Sequence, residues 1–548
     1  MATKDMDMVR HEAVRTYLTG IPKADDYNTD LIRSEVIAKI NKAIIDSNVS
    51  DNHPKWPTIK SLSISEIDII IRTLYSVKAI SMADDISMDE SLQVGVYQPT
   101  GPDAGLYCID ETKIHNLIYK FGPNLTSAQV KDVMKLLLVH APKAMRGKDK
   151  ELVPVKNGIW NMKTKSLIPF SDEFIYMSKI PVDINPNAKS PQIKEPDGNV
   201  WTVDDWIKEL SADDPEMEDL FWKVIAASLR PYHSWNKSIW LCSTIGNNGK
   251  GTFLKLIRNI WGQGNYASLT VSQFSDRFGL ESLLRTSVVL ADENDVGEYV
   301  DKAANYKAAV TGDPIYIDRK YKKSLFFVFQ GMIIQCMNGY PQVRDKTNSF
   351  YRRLLLIPFV KTFEGVEKKY IKDDFIGRKE VLEYVLWKCL NMDFKELPVP
   401  KACKDEMLEF HFASDPVLQF WDEISDETVW DFLPTKFLYD LFVAWVKRNN
   451  PVGKTIGRNT FLSRLAEIIR TDPEWYFNPQ DKRKITIGNK CDSPEMLILE
   501  YDLPGWMNKN YKGYNDVQRL KITMPDRAYG ALRLTEEEET EEDSGDAS

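Results

Sequence analysis

An apolar run, a turn of small residues and an amphipathic stretch follow one another between Lys237 and Trp261. The run KSIWLC predicts a buried strand, and FLKLIRNIW places Phe253, Ile257 and Trp261 on one face of a helix. The turn between them is STIGNNGKGT. A glycine-containing turn that joins a strand to a helix is typical of phosphate-binding loops, because backbone N–H groups and the helix dipole attract anions there. The segment therefore predicts an α/β nucleotide-binding domain.

This loop departs at two positions from the pattern G-x-x-x-x-G-K-[ST]. Thr244 replaces the first glycine, and Gly251 replaces the hydroxyl residue after the lysine. Gly246 and Gly249 still permit a tight turn, and Lys250 is expected to neutralise the terminal phosphates. Taken alone, the motif is equally compatible with a turn that binds no ligand. The predicted nucleotide-binding residues are Gly246, Asn247, Asn248, Gly249, Lys250, Gly251 and Thr252.

A second apolar strand, SVVLADEN, ends in the acids Asp292 and Glu293. An acidic pair at the end of a buried strand is costly unless it binds a metal or orients water. We expect Asp292 to hold Mg²⁺, with Thr252 in place of the missing hydroxyl, and Glu293 to polarise the attacking water. The chain length from Lys250 predicts that this strand lies next to the strand before the loop. Two acids just beyond a core strand, without a ligand, are the alternative.

A basic cluster separates two β-rich stretches in PIYIDRKYKKSLFFVF. Cations and an aromatic side chain at a hairpin tip can grip one nucleic-acid strand, through phosphate pairing and base stacking. For a basic run taken alone, a solvated turn is the better interpretation. The cluster consists of Arg319, Lys320, Tyr321, Lys322 and Lys323.

Two further segments complete the set of motifs. GMIIQCMNGYPQV predicts an apolar strand that ends at Asn338, where the side chain can sense a γ-phosphate. SFYRRLLLIPF places Arg352 and Arg353 before a final strand. Arginines outside the loop can stabilise transition-state charge on a neighbouring subunit's nucleotide. A surface salt bridge is the alternative for this pair.

In this order, the motifs resemble the superfamily 3 helicase domain of phage, plasmid, mobile-island and poxvirus replication proteins. The resemblance covers about residues 107–363 and extends to the C-terminal region. It rests also on VKNGIWNMKT, LIP and INPNA upstream, on SQFSDRFGLESLLRTSVVLADEN, on KAAVTGDPIYIDRKYK, and on NGYPQVRDKTNSFYRRLLLIPF. It implies an AAA+-type ATPase that uses ATP and Mg²⁺, assembles as a ring, usually a hexamer, and moves 3′ to 5′ on single-stranded DNA.

The resemblance also implies roles for single residues. Lys250 would contact phosphate, Asp292 and Glu293 would act on metal and water, and Asn338 would sense the γ-phosphate. The pore hairpin would carry Lys320 or Lys322, and the trans arginine finger would be Arg352 or Arg353. A glycine after the lysine also occurs in phage members of the family, which favours a working loop over a decayed one.

The C-terminal region predicts two amphipathic helices, in LPTKFLYDLFVAWVKRNN and GRNTFLSRLAEII, followed by the basic stretch YFNPQDKRKITIG. The first helix has Phe437, Leu441 and Trp445 on one face. Two helices and a wing suggest a winged helix that binds origin DNA in the major groove, with Arg458 and Arg464 as candidate contacts. From the pattern alone, the helices could equally pack as a lid. The resemblance favours DNA binding.

Bulk properties limit the remaining alternatives. The formal net charge is -9, but eight acids lie between residues 536 and 546, so the rest of the chain is nearly neutral and any nucleic-acid surface must be local. The six cysteines are scattered without metal-ligand spacing, which predicts buried free thiols. Neither a membrane-spanning run nor a signal peptide is evident, which predicts a chain in the host cell cytoplasm, away from membranes.

The expected fold class is multidomain α/β, with an AAA+-type P-loop helicase core, a mainly helical N-terminal region and a C-terminal winged-helix-like domain. Residues 1–95 lack the clustered acids on strands that a metal-dependent primase needs, so we predict a helicase without primase. The predicted divisions are 1–95, helical and without an assigned role; 96–200, an α+β domain; 201–365, the helicase core; 366–413, a helical connector; 414–534, winged-helix-like; and 535–548, a disordered acidic tail.

The sequence therefore predicts an ATP-dependent replicative DNA helicase of a phage or mobile genetic element, which also binds the replication origin. The alternative is a nucleotide-switched origin-binding or loader protein without processive unwinding. A metabolic kinase is a third interpretation, and it predicts no stimulation of hydrolysis by single-stranded DNA.

Overall fold

In the computed structural model the chain forms two compact units, Met1–Met407 and Leu408–Ser548. The predicted acidic tail, Thr244, Tyr321, Lys322 and Lys323 lie outside the described residues. The structure describes residues 5–22, 26–50, 55–83, 85–147, 149–243, 245–294, 299–300, 303–320, 324–343, 348–449, 455–480, 484–520 and 524–534.

The N-terminal part of the first unit packs helices against a mixed sheet. Its elements are α1 (Met6–Thr19), α2 (Thr29–Ser50), α3 (Ile64–Leu74), β1 (Val77–Ser81), β2 (Leu92–Tyr97), β3 (Tyr107–Cys108), α4 (Glu111–Phe121), α5 (Ser127–His140) and β4 (Lys143–Met145). The sheet order is β3-β2-β1-β4, with β4 parallel to β1. Residue 95, where we predicted a boundary, lies inside β2, so this sheet contains strands from both sides of it.

A smaller β-rich part follows. Lys156 and Asn157 form a short polar turn between two antiparallel strands that are buried against the core. Its elements are β5 (Leu152–Val155), β6 (Gly158–Asn161), β7 (Ser166–Ile168), β8 (Ile193–Lys194), β9 (Val200–Trp201), α6 (Val203–Leu210) and α7 (Pro215–Ser228).

A parallel sheet with the order β11-β15-β10-β17 forms the centre of the first unit. Its strands are β10 (Ser238–Cys242), β11 (Val288–Asn294), β15 (Met332–Met337) and β17 (Leu354–Pro358). Around it lie α8 (Lys250–Trp261), β12 (Tyr299–Val300), α9 (Ala304–Thr311), β13 (Pro314–Ile317), β14 (Leu325–Val328), β16 (Gln342–Val343) and α10 (Asn348–Tyr351). As predicted, Phe253, Ile257 and Trp261 of α8 are buried.

The predicted neighbour relation in this sheet is wrong. The acidic strand β11 does not pair with β10, because β15 lies between them and pairs with both. Parallel strands are joined by crossover connections, so chain distance does not fix which strands are neighbours. The first unit continues through α11 (Lys369–Asp373), α12 (Lys379–Asn391) and α13 (Lys401–Ser414), which contains the division at residue 407.

The second unit has a core of its own, in which Phe437, Leu441 and Trp445 are buried as their spacing predicted. Its three-stranded sheet has the order β18-β22-β19, and both pairings are antiparallel. The elements are α14 (Pro416–Ile424), β18 (Phe432–Pro434), α15 (Thr435–Asn449), α16 (Arg458–Ile469), β19 (Trp475–Tyr476), β20 (Ile485–Thr486), α17 (Leu497–Glu500), α18 (Asp516–Arg519), β21 (Arg527–Ala528) and β22 (Gly530–Arg533).

All six cysteines are free; Cys108 is half-buried and the other five are buried. In the part of the chain that the structure describes, no helix is both long enough and apolar enough to cross a bilayer.

Candidate functional site

A cleft of about 940 Å³ opens at the carboxyl ends of β10, β11 and β15. Segments that follow parallel strands meet at the same edge of the sheet, which is where α/β proteins bind ligands. The cleft is lined by all the predicted loop residues from Gly246 to Thr252, and also by Asp292, Glu293 and Asn338. The structure therefore brings together candidates that are distant in sequence.

Lys250 is buried at the base of the cleft, with only 4% of its surface exposed. Its Nζ donates hydrogen bonds to the carbonyl oxygens of Ser243 and Met337, each 3.0 Å away. Burial lowers the pKa of this ammonium. Within the described residues, no carboxylate forms an ion pair with it. The charge of Glu406 attracts this ammonium, but its direct acceptors are two neutral carbonyls, so the buried cation favours an anionic ligand.

The loop backbone forms an open cradle ahead of α8. Asn247 and Gly249 have φ values of 51° and 87°, both in the left-handed region. A Cβ at position 249 would also lie 2.5 Å from Cδ2 of Leu210, so Leu210 would have to shift, and the positive φ would strain any other residue there. Gly249 provides no side-chain cap, and the backbone N–H of Lys250 donates to Oδ1 of Asn248 at 3.2 Å, so the first turn of α8 is only partly available to a ligand. Such a helix start suits phosphate groups.

Asp292, at the end of β11, is hydrogen-bonded to an arginine of α8. Nη1 of Arg258 donates a hydrogen bond to Oδ2 of Asp292, and Nη2 donates to the carbonyl oxygen of Leu290 at 3.2 Å. Arg258 was not among the predicted site residues. A signal was present, because residue 258 lies two helical turns beyond Lys250 and therefore on the same side of α8.

Glu293 and Asn338 lie opposite each other in the cleft. Nδ2 of Asn338 is 3.4 Å from Oε1 of Glu293, within hydrogen-bond distance. The next residue, Asn294, is buried and donates to Oε1 of Gln335 at 3.0 Å and to the carbonyl oxygen of Cys336 at 3.1 Å. These bonds fix the end of β11 against β15. Asn294 and Gln335 are positioning residues that sequence reasoning missed, since buried amides carry no pattern of their own.

The oxygen donors at this site fit Mg²⁺ bound together with phosphate groups. Thr252, Asp292 and Glu293 all line the cleft, and hydroxyl and carboxylate oxygens are suitable ligands for this hard cation. No cluster of three or more histidine, cysteine or acidic residues that could hold a metal occurs among the described ranges. Magnesium usually takes one or two carboxylates plus phosphate oxygens, so a metal that arrives with a nucleotide suits this donor set.

The two candidate finger arginines lie away from the cleft. They precede β17, whereas the loop follows the parallel strand β10, so they lie at the opposite edge of the sheet. Nη1 of Arg353 donates to Oγ of Ser349 at 2.7 Å and to the carbonyl oxygen of the same residue. Arg352 is exposed. Of the pair, Arg352 is the side chain presented to solvent.

The predicted hairpin is present, since β13 and β14 pair antiparallel. Arg319, however, is only 9% exposed, and its Nη1 donates to Oε1 of Gln93 on β2 at 3.1 Å. Burial also lowers its pKa. In this structure Arg319 is not presented to solvent as a DNA contact requires, and the sequence could not show that the hairpin packs on β2. Lys320 is exposed.

The two candidate arginines of the second unit differ. Nη2 of Arg458 donates to Oγ1 of Thr435 at 2.9 Å, and its side chain is exposed. Nε of Arg464 donates to Oδ2 of the buried Asp415 at 2.6 Å, while Nη1 bonds Glu467. Arg464 thus fastens α16 to the start of α14. This structural role contrasts with its predicted DNA contact.

Three segments of the chain match models of protein families. Residues 34–202 match the family described as D5 N terminal like, and residues 413–519 match the one described as Poxvirus D5 protein-like. Residues 241–353, which contain the loop, match a family of unknown function, DUF5906. The chain therefore carries D5-like domains on both sides of the loop-containing segment. The predicted resemblance to poxvirus proteins is confirmed for residues 413–519. The D5 N terminal like segment overlaps the predicted resemblance only from residue 107 onward and begins within the N-terminal region that has no assigned role.

Solved structures show only distant similarity. The A form apo structure of the NrS-1 C terminal region-CTR matches with 13% identity and a TM-score of 0.41, covering 85% of this chain and 98% of that chain. The apo structure of the NrS-1 C terminal region (305-718) matches with 12% identity and a TM-score of 0.40, covering 73% and 85%. No curated protein matches the chain significantly.

Proposed function

We propose that this chain is an ATP-dependent, ring-forming DNA helicase of the superfamily 3 type, which serves replication of a phage or mobile genetic element. The observation that carries the proposal is the meeting of Lys250, Asp292 and Asn338 in one cleft. Because β15 lies between β10 and β11, Asn338 lies between the loop and the acids. A γ-phosphate held by the loop would lie beside all three groups.

Each residue of the cleft would have a separate role in ATP hydrolysis. Lys250 and the first turn of α8 would bind the phosphates, and the left-handed residues of the loop would let the backbone approach them. Asp292 and Thr252 would hold Mg²⁺, which supplies charge neutralisation on the phosphates when bound. Glu293 would orient the attacking water, with its carboxylate held by Asn338.

DNA contacts would come from two places. Lys320 is exposed at the hairpin and would face the translocating strand, while Arg352 would reach the nucleotide of the next subunit in a hexamer. In the second unit, the order α14, β18, α15, α16, β19, with β22 between β18 and β19, supports a winged-helix-like domain. The exposed Arg458 of α16 would then contact origin DNA.

Lys250→Ala is the direct test. In the full-length protein, ATP hydrolysis should rise on addition of single-stranded DNA, and a duplex with a 3′ overhang should be unwound. Both activities should be lost in Lys250→Ala and kept in Lys131→Ala, which replaces an exposed lysine of α5. Hydrolysis by the wild type without any response to single-stranded DNA would contradict the helicase and favour a metabolic kinase.

One observation favours a second candidate function, a nucleotide-switched origin-binding or loader protein. Arg319 is bonded to Gln93, which leaves the hairpin with fewer exposed cations than its sequence suggests. A loader would bind DNA in a nucleotide-dependent manner without displacing a strand. The double variant Lys320→Ala, Lys322→Ala separates the two functions, since a helicase should lose strand displacement and keep basal hydrolysis.

A further inference from the structure

The segment from Phe363 to Asp373 forms a wall of the cleft and is tied to the loop. The backbone N–H of Phe363 donates to the carbonyl oxygen of Asn247 at 2.8 Å, and Nδ2 of Asn247 donates to Oε1 of Glu367 at 3.0 Å. At the far end of the wall, Lys255 of α8 pairs with Asp373 at 3.7 Å. The wall therefore keeps a defined position relative to the first turns of α8.

A buried carboxylate anchors the middle of this wall. Nζ of Lys368 lies 2.8 and 2.9 Å from the two carboxylate oxygens of Glu195, which also accepts a hydrogen bond from the hydroxyl of Tyr370 at 3.0 Å. Glu195 is only 5% exposed. Lys368 is thus neutralised. Lys372 also lines the cleft, but it forms no ion pair with any residue in the described ranges.

Gly251 and Lys372 meet at the start of α8. A Cβ built at Gly251 would lie 3.8 Å from Nζ of Lys372, and no other atom outside its chain neighbours and the nearby backbone of α8 would lie within 4 Å of it. The ammonium therefore lies in contact distance of the place where a serine or threonine side chain would begin in the usual loop pattern. Because glycine replaces that hydroxyl residue, the Lys372 ammonium of α11 can lie next to the start of α8.

Three positive groups converge at this point. Lys250 and Lys372 both line the cleft beside the first turn of α8, whose helix end is itself positive. Like charges repel unless an anion lies between them. Asp292, one of the acids at this edge of the sheet, is already paired with Arg258 and is therefore less available to neutralise the two lysines. The arrangement fits a polyanion with several phosphate groups.

We propose that Lys372 is a second phosphate-contacting lysine, which binds a nucleoside di- or triphosphate from the wall of the cleft and compensates for the missing hydroxyl at Gly251. The inference rests on the proposed nucleotide site and adds a residue to it. Lys372 donates to a phosphate oxygen opposite Lys250, so the ligand is held from two sides. This contact contributes to affinity even when no metal is present.

The test measures binding of a fluorescent ADP analogue to the full-length protein in EDTA, where metal cannot contribute. Lys372→Ala should weaken binding by roughly tenfold, as expected for the loss of one hydrogen bond to a charged group. Lys372→Arg should keep most of the affinity, because the positive charge remains. Lys131→Ala, on α5 outside the cleft, should bind as the wild type does.

A double-mutant cycle tests the position of the ammonium. Gly251→Thr fills the space beside Lys372, so Lys372→Ala should cost less affinity in that background than in the wild type. An equal cost in both backgrounds would show that the ammonium does not use this space and would overturn the inference.

The outcomes also separate this inference from the proposed function. If Lys250→Ala loses the analogue while Lys372→Ala binds it as tightly as the wild type, the role of Lys372 is refuted and the nucleotide site stands. If Lys250→Ala binds as the wild type does, the nucleotide site itself is refuted.

Discussion

Arg258 of α8 donates a hydrogen bond to Asp292 at the end of β11, so a cation of the chain occupies the carboxylate that we assign to Mg²⁺. The Asp292 side chain is 52% exposed, and a surface ion pair of this kind contributes about 0–1 kcal/mol. A divalent ion can therefore displace it at little cost. Arg258 therefore competes with the metal for the Asp292 carboxylate.

Arg258→Ala should lower the Mg²⁺ concentration needed for half-maximal ATP hydrolysis, because Asp292 would no longer be shared. The measurement is a magnesium titration of hydrolysis at saturating ATP. Arg277→Ala is a matched control, since Arg277 forms an exposed ion pair with Asp318 instead. A higher magnesium requirement in Arg258→Ala would mean that the arginine orients the carboxylate for the metal and does not compete with it.

Thr252→Ala should reduce magnesium-dependent hydrolysis, because Thr252 carries the nearest hydroxyl to the position that Gly251 leaves without one. We expect a loss on the order of tenfold, with binding of the ADP analogue in EDTA nearly unchanged. Thr252→Ser, which keeps the hydroxyl, is the control. Unchanged hydrolysis in Thr252→Ala would mean that water fills the position.

The residues that line the candidate site could be predicted from the sequence more completely than the order of the strands and the partners of the side chains around it. Lys250, Asp292 and Asn338 could be found because each lies at or just beyond the carboxyl end of an apolar strand, and the carboxyl ends of parallel strands meet. The order of the strands in the sheet could not be predicted from the sequence, because crossover connections allow β15 to lie between β10 and β11. The hydrogen-bond and ion-pair partners of the side chains could not be predicted either, because they are distant in sequence.

The arginines illustrate this limit. A basic hairpin tip predicts Arg319 as a DNA contact and an amphipathic helix before a basic wing predicts Arg464, but Gln93 and Asp415 hold these side chains in packed positions. These partners belong to elements whose approach is determined by tertiary packing. A basic side chain in a sequence therefore indicates a charge, and only the fold shows whether a nucleic acid can reach it.

Glu66→Ala should destabilise the N-terminal part of the chain by about 3 kcal/mol, because it removes one partner of a buried ion pair. Glu66 is fully buried, accepts from Nε of Arg10 at 2.7 Å, and accepts from the backbone N–H of Ser63 at 2.6 Å as part of a capping box. Urea unfolding measures the change. Glu12→Ala, at an exposed position of α1, should leave the free energy of unfolding nearly unchanged; a similar loss in both variants would contradict the prediction.

Glu495 should make the stability of the second unit depend on pH. Burial raises the pKa of this carboxyl above its ordinary value, although Val429, Trp430 and Leu497 donate backbone hydrogen bonds to it. The folded chain therefore holds the proton more tightly than the unfolded chain, and the resulting stability is lost as pH rises through the folded pKa. Glu495→Gln cannot titrate. Between about pH 4 and pH 7, the free energy of urea unfolding should fall for the wild type relative to Glu495→Gln, and a difference that stays constant with pH would refute the prediction.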